Sequence, residues 1–472
     1  MRALAAVAVL LLPTAVHADA VERAVRAGIG ETEPLMAVLA EIADRTGPRL
    51  TGSEALLRAH RFAEGRFRDM GLSVRPEPFP LAKTWRRGPA WAEVRSPGEH
   101  FLQVAQVGWT PPTPGTVEGP VRIFAPRARE EMEAMRGQLK DAIVLWGEPV
   151  SNLEPLMMAL PLRIQGKPNP PEKPREPWLR EQIAFLKEEG AAAYLLDSGK
   201  PGGLFNMDMQ PGALEADGLP GAYLIHEQFL LLRHLAPERP VVRLRLEGGL
   251  GPPATCVNTV ADLVGREEPD ELVVLGAHLD SWDLGTGATD NGAGAGAVIE
   301  AARLLARSRA RPRRTIRFVL FSGEEQGLLG SKAYLEAHRG ELEHHSAVFV
   351  MDTGAGRIDA VALQGRREVE PIMGQVLSPL RELGVVDTDL RLEDDTDHIP
   401  FDAAGIPAFC VEQVQHEYSR NHHSQADTLD KVRPEELEQA AVVLALTAYR
   451  VAQLPQKLPR RPRDPKAGGT GP

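Results

Sequence analysis

Six residues able to bind a metal or move a proton stand in five short motifs, most of them where a predicted strand runs out into a glycine-marked turn. They are His278 in GAHLDSWD, Asp290 in GATDNGAG, Glu324 and Glu325 in FSGEEQG, Asp352 in VMDTGAG and His423 in NHHSQADT. Two imidazoles and three carboxylates, with one further Glu beside a ligand, match what a hydrolase with two metal ions needs. If Asp290 bridges, one ion takes His278, Asp290 and Asp352, and the other takes Asp290, Glu325 and His423. Each trio leaves a fourth position for water, the arrangement of a catalytic zinc. Two cations sharing a water lower its pKa toward neutrality and clamp a tetrahedral intermediate. Glu324, free beside a ligand, is then the general base that passes the water's proton to the leaving amine. Imidazole mixed with carboxylate and no thiolate suits Zn²⁺, with Co²⁺ or Mn²⁺ as substitutes.

Taken singly, each motif has a plainer reading. His278 alone reads as a core or surface histidine, Asp290 as a helix N-cap, and Glu324–Glu325 as acidic residues at a helix start, where the dipole favours them. Asp352 reads as a loop aspartate and His422–His423 as part of a polar surface turn. His278 and Asp280 point the same way in an extended stretch, so the Asp280 carboxylate is expected to orient the imidazole.

The elements that must position these residues follow from the pattern of apolar residues. From about Asn258, strand and helix alternate: ELVVLGA, a helix near 293–309, TIRFVLFS, a helix near 326–338, then HSAVFVMD. That is an α/β sheet covered on both faces, where functional residues gather at the carboxyl ends of strands. Arg433 and Pro434 open a last helix to about Ala452, with Pro tolerated in its first turn. Near the N-terminus, Ser53 is a predicted N-cap and Gly71 a stop for a helix between them. From about Val121 the texture changes to short apolar runs split by Pro and Gly, which reads as a small β-rich domain of its own. Within it, Pro161–Pro177 holds six prolines and predicts a surface loop; Trp178–Glu189 predicts an amphipathic helix. A signal is expected over 1–20 and a disordered tail over 456–472.

Composition excludes several alternatives. A net charge of −11 over 472 residues argues against nucleic-acid binding. The N-terminus has Arg2, an apolar run from Ala3 to Leu12 and a small-residue cleavage site near Ala18 or Ala20, the signature of a secretory signal and too short to span a bilayer. Export to the periplasm or the medium is therefore expected, with no membrane span. Cys256 and Cys410 are the only cysteines, which makes a thiolate metal site improbable. Cys410, in AFCVE, reads as a core thiol.

GAHLDSWDLGTGATDNGAG, FSGEEQGLLGS, VMDTGAG, DDTDHIPF and HHSQADT together resemble the M28 zinc peptidases, which include leucyl aminopeptidases and glutamate carboxypeptidases. The long HLDSWD form, GPRLTGS near the N-terminus and HHS before the final DT resemble the carboxypeptidase Q branch. The resemblance implies a mixed-sheet α/β zinc-peptidase domain over 21–114 and 251–455, interrupted by a protease-associated (PA) type insertion at 115–250. It implies two Zn²⁺ held by His278, Asp290, Glu325, Asp352 and His423, with Glu324 as base. It further implies small peptide substrates with free termini, export, and often a homodimer. Asp397 falls where the family shapes its substrate pocket, although a helix cap is the competing reading. Tyr418 is a candidate to polarise a carbonyl, and His422 is a further substrate candidate beside His423. The expectation is an exported dipeptidase or carboxypeptidase. An aminopeptidase, a non-catalytic binding protein on the same scaffold and a glutaminyl-cyclase-like acyltransferase are the alternatives.

Overall fold

The computed structural model describes residues 20–150, 175–214, 218–385 and 387–462. The signal expected over 1–20 and most of the proline loop lie outside the described residues. The last three residues of that loop open the helix Arg175–Glu188.

Two eight-stranded sheets carry the chain. At the centre of the first, the strands Arg314–Phe321, Glu268–His278, His345–Met351 and Ala408–Gln413 run parallel in that spatial order. Antiparallel strands flank them: Ser73–Leu81 and Ala254–Leu263 on one side, Ile358–Ala362 on the other. All eight residues of Arg314–Phe321 are buried, as a parallel strand covered on both faces requires. The helices Ala293–Arg307 and Pro434–Ala452 pack together in the main hydrophobic core. Because the four central strands are parallel, their carboxyl ends share one edge. His278 ends its strand there, Glu324–Glu325 follow Phe321, Asp352 follows Met351, and the segment to His423 follows Gln413.

The helix Glu54–Asp69 is capped by Ser53, whose hydroxyl accepts from Leu56 N, and Gly71 beyond its end has φ +78°. The helix expected near 326–338 is shorter, Leu329–Ala337, because residues 323–328 turn to present Glu324 and Glu325.

The second sheet begins earlier than the change of texture at about Val121, or an insertion from 115, suggests. Its order places His100–Leu102 and Ala90–Ser96 at one edge and Val104–Gln106 at the other. Ala90–Ser96 pairs with Val241–Leu246 antiparallel. These early strands are short and close to proline, so they carry too little apolar alternation to be read from sequence. The middle of the sheet, from Val117–Phe124 through Ile143–Trp146 and Ala193–Asp197 to Gly221–Leu224, is parallel.

The tail expected to be disordered from 456 is packed as far as 462. Leu458 is buried in the main core, and Arg460 donates to the carbonyls of Leu342 and His345. Few apolar residues are needed where arginine reaches unpaired carbonyls. Cys256 and Cys410 are both buried free thiols. Among the described residues no helix is long and apolar enough to cross a membrane.

Candidate metal centre

The strand end at His278 brings its ring under two carboxylates from distant segments. His278 Nε2 lies 3.2 Å from Asp290 Oδ1 and 3.0 Å from Asp352 Oδ1. On the other side of Asp290, Oδ2 lies 3.5 Å from His423 Nε2, which in turn lies 2.9 Å from Glu325 Oε2. Asp290 thus has one oxygen beside His278 and the other beside His423, and His278, Asp290 and Glu325 offer ligand atoms within 4.8 Å of one another. Asp290 is not a helix cap: the helix Ala293–Arg307 takes its early bond from Asn291, whose Oδ1 accepts from Gly294 N at 2.9 Å. The Asp290 carboxylate is left to face the cleft.

Electrostatics tests whether this donor set fits a cation. His278 Nδ1 is 3.0 Å from the Asp280 carbonyl, which can only accept, so Nδ1 carries the proton. Nε2 then turns a lone pair toward two anionic oxygens, an arrangement that is repulsive unless a positive charge sits among them. A proton is one such charge: burial opposes it, but Asp352 and the other carboxylates hold His278 well above its usual value. His423 shows the same balance, with burial opposing and Glu325 raising it to about 9. Burial also works against ionised Asp290, yet His278, His422 and His423 draw it below the ordinary range. Burial pushes Glu325 up to about 7, and its Oε1 is buried without a hydrogen-bond partner. A divalent cation in each trio would relieve all of these groups at once. The residues fit such ions.

Glu324 completes the inner face. Its carboxyl, His278 and Asp352 offer ligand atoms all within 4.8 Å of one another. Burial, with Asp352 and Glu325 adding to it, lifts the Glu324 carboxyl well above its usual value. The group opens on a cleft of about 550 Å³ whose wall includes Tyr418, His422 and the acidic run Glu393–Asp395. His422 stacks on His423 with ring centres 3.7 Å apart, and its Nε2 lies 3.6 Å from Asp290 Oδ2. It belongs with Asp290 and His423 as a third donor grouping.

Two expectations need correction. Asp280 does orient His278, but through its backbone carbonyl; its carboxylate is 3.7 Å away. The strand ends at His278, so the chain turns and swings the carbonyl beneath the ring. The Asp280 carboxylate instead accepts from Thr51 Oγ1 at 2.8 Å and from Glu324 N at 3.4 Å. Asp397 does not line the cleft or cap the helix Ile399–Ala403. It is wholly buried behind the centre, where burial pushes it up to about 7 against the pull of Ser331 and His278.

Three supporting residues escaped the sequence reading. Asp427 accepts from Thr289 N and Oγ1 and from Asp290 N, at 2.6, 2.7 and 3.1 Å, and so fixes the loop that presents Asp290. His60 bonds Thr259 and Ser322 hydroxyls beneath the Glu324 turn; burial lowers it to about 3, so it stays neutral. Arg49 is wholly buried and its guanidinium reaches the carbonyls of Leu279, Thr286 and Gly287, in the loop between His278 and Asp290. The available signals were the Asp-Thr pair in HHSQADT and the Arg and Thr of GPRLTGS.

Known peptidases resemble this chain in sequence and in fold. The family model for peptidase family M28 matches residues 258–448. Carboxypeptidase Q of Bos taurus is 29% identical over 433 residues, covering 89% of this chain and 86% of that protein. A crystal structure of a peptidase M28 precursor from Shewanella amazonensis superposes with a TM-score of 0.79 at 27% identity, covering 95% of this chain and 99% of the other. A zinc aminopeptidase from Bacillus subtilis shares the fold, with a TM-score of 0.65 at 19% identity over 89% of this chain and 94% of its own.

Proposed function

We propose, from the match of residues 258–448 to the model of peptidase family M28, that this chain is an exopeptidase cleaving dipeptides and short peptides at a centre of two divalent cations. The observation that carries this reading is the bridging position of Asp290, with Oδ1 beside His278 and Oδ2 beside His423. His278, Asp290 and Asp352 would hold one ion; Asp290, Glu325 and His423 would hold the other. Their mixture of imidazole and carboxylate suits Zn²⁺, with Co²⁺ or Mn²⁺ as substitutes. Bound there, the ions supply Lewis-acid polarisation of the scissile carbonyl and a water acidified toward neutrality.

The chain's own residues do the rest. Glu324 takes a proton from the attacking water and returns it to the leaving amine, and burial, by raising its pKa, makes it the stronger base for the first transfer. Asp280 steadies Glu324 by accepting from its backbone N–H. Tyr418, on the cleft wall, keeps its proton because burial and the nearby carboxylates lift it well above 10. It is therefore placed to donate to the oxygen that gains charge. The β-rich unit from about residue 90 is read as the PA-type insertion. Export and a homodimer complete this reading.

One observation favours an aminopeptidase-like end preference over a carboxypeptidase one. Among the described residues the cleft is walled by Glu393, Asp394 and Asp395 and by no Lys or Arg. That wall suits a free α-ammonium, whereas a free α-carboxylate would meet neutral donors such as Tyr418 and Ser419. Hydrolysis of a dipeptide panel with each terminus blocked in turn tests it. N-acetylated dipeptides should lose turnover while C-terminal amides keep it; the reverse pattern would assign carboxypeptidase specificity. In the same assay, chelation should abolish hydrolysis and added Zn²⁺ or Co²⁺ restore it. Hydrolysis untouched by chelation would end the metal reading.

A further inference from the structure

His423 stands in a left-handed backbone conformation, with φ +54°. A non-glycine residue holds that conformation only where its surroundings impose it. The carbonyls around it point away from the peptidase sheet, toward the loop that follows strand Ala193–Asp197 of the second sheet. Lys200, 4% exposed, donates from Nζ to the carbonyl of His422 and lies 3.5 Å from that of Arg420. Met207 N donates to the His423 carbonyl at 2.7 Å. Phe205 N donates to Gln425 Oε1 at 2.9 Å, and Gln425 Nε2 returns a bond to the Gly203 carbonyl at 3.0 Å. Donors from residues 200–207 thus clasp the turn on both sides of His423. Trp282 closes the remaining side, its ring edge-on to the imidazole at 5.9 Å.

We propose that Lys200 is a positioning residue: through the His422 carbonyl it fixes the imidazole of His423, so that the second sheet's unit completes one half of the metal centre. This rests on the two-ion reading above. His278 and Asp352 come wholly from the peptidase sheet and receive no such support. The asymmetry makes the claim specific, because loss of the clasp should weaken one ion and spare the other. Groups that orient a ligand in this way typically change metal affinity by about 10–100-fold.

The test uses the full-length chain. Metal content after dialysis and competitive chelator titration with Zn²⁺ are measured for wild type, Lys200→Met and Lys200→Arg. Hydrogen exchange over residues 418–425 is followed in the metal-stripped proteins. The expected result is two Zn²⁺ in wild type. Lys200→Met should keep one tight ion and bind the second about 10–100-fold more weakly, with faster exchange confined to 418–425, and Lys200→Arg should restore much of both. Gln425→Ala, a milder loss of the same clasp, should weaken the same ion by less and serves if Lys200→Met does not fold. Equal affinities for both ions in Lys200→Met, or equal loss of both, would overturn the proposal. A wild type that binds no second ion would instead overturn the two-ion reading. The exchange experiment, run without metal, still decides whether the clasp holds His423.

Discussion

Glu324→Gln should lower kcat by about 10²–10⁴-fold and leave both metals in place, whereas Glu325→Gln should lose metal. The two residues are adjacent, similarly enclosed by the 323–328 turn, and differ mainly in where they point. Glu325 Oε2 lies 2.9 Å from His423 Nε2, and Oε1 is buried with nothing to bond. An amide there would present a poorer donor to a cation and a new buried polar group. Glu324 faces the cleft beside His278 and Asp352, and its amide counterpart keeps the shape while removing the site that accepts a proton. Metal content by elemental analysis, set beside kcat and KM on one dipeptide, separates the two roles. Similar metal loss in both variants would mean that they have been assigned the wrong way round or share one task.

The parts of this centre that were legible in the sequence are those announced by residue type. Strand runs ending in His, Glu–Glu and Asp gave the parallel sheet and the edge on which the site lies. Asp290 stood out through its glycine-rich surroundings, although a cap was the better local reading; in the structure it is Asn291 Oδ1 that accepts from Gly294 N. What stayed hidden are the contacts made to backbone. Asp280 orients His278 through a carbonyl, which every residue possesses, so the sequence pointed to the wrong group on the right residue. Lys200 and Arg49 likewise bond to carbonyls more than two hundred positions away. The Arg and Thr of GPRLTGS mark a motif without revealing that the arginine meets five carbonyls. Asp397 illustrates the opposite failure. Its motif marks it as chemically engaged, yet pattern alone does not say whether a carboxylate faces the cleft or the protein behind it.

Arg49→Met should destabilise the metal-stripped protein by about 3–5 kcal/mol, more than the usual single substitution. Each of the three guanidinium nitrogens donates to backbone. Nε meets Leu279 O at 2.8 Å, Nη1 meets Ile42, Gly47 and Thr286 carbonyls at 3.2, 3.0 and 2.8 Å, and Nη2 meets Gly287 O at 2.7 Å. Methionine fills much of the same space but leaves those carbonyls buried without donors. It also removes the positive charge beneath Asp427, Asp280, Asp290 and Glu325. Burial lowers the Arg49 pKa to about 10, with those carboxylates holding it up, so the charge persists throughout the neutral range. Arg49→Lys should fall between the two, because an ammonium keeps the charge but cannot span carbonyls on three sides of a planar fork. The effect has a pH signature with a definite sign. Burial sets Asp427 at about 6 and Glu325 at about 7, above their unfolded values, so the folded chain holds these protons more tightly. Such groups support the fold in acid and subtract from it as pH rises through those values. Removing Arg49 raises them further, and the stability gap between wild type and Arg49→Met should therefore widen from acid to neutral pH. Urea unfolding of the metal-stripped proteins across that range measures it. A gap under about 1 kcal/mol, within the net contribution of one ordinary hydrogen bond, would show that Arg49 does not brace the loop between His278 and Asp290.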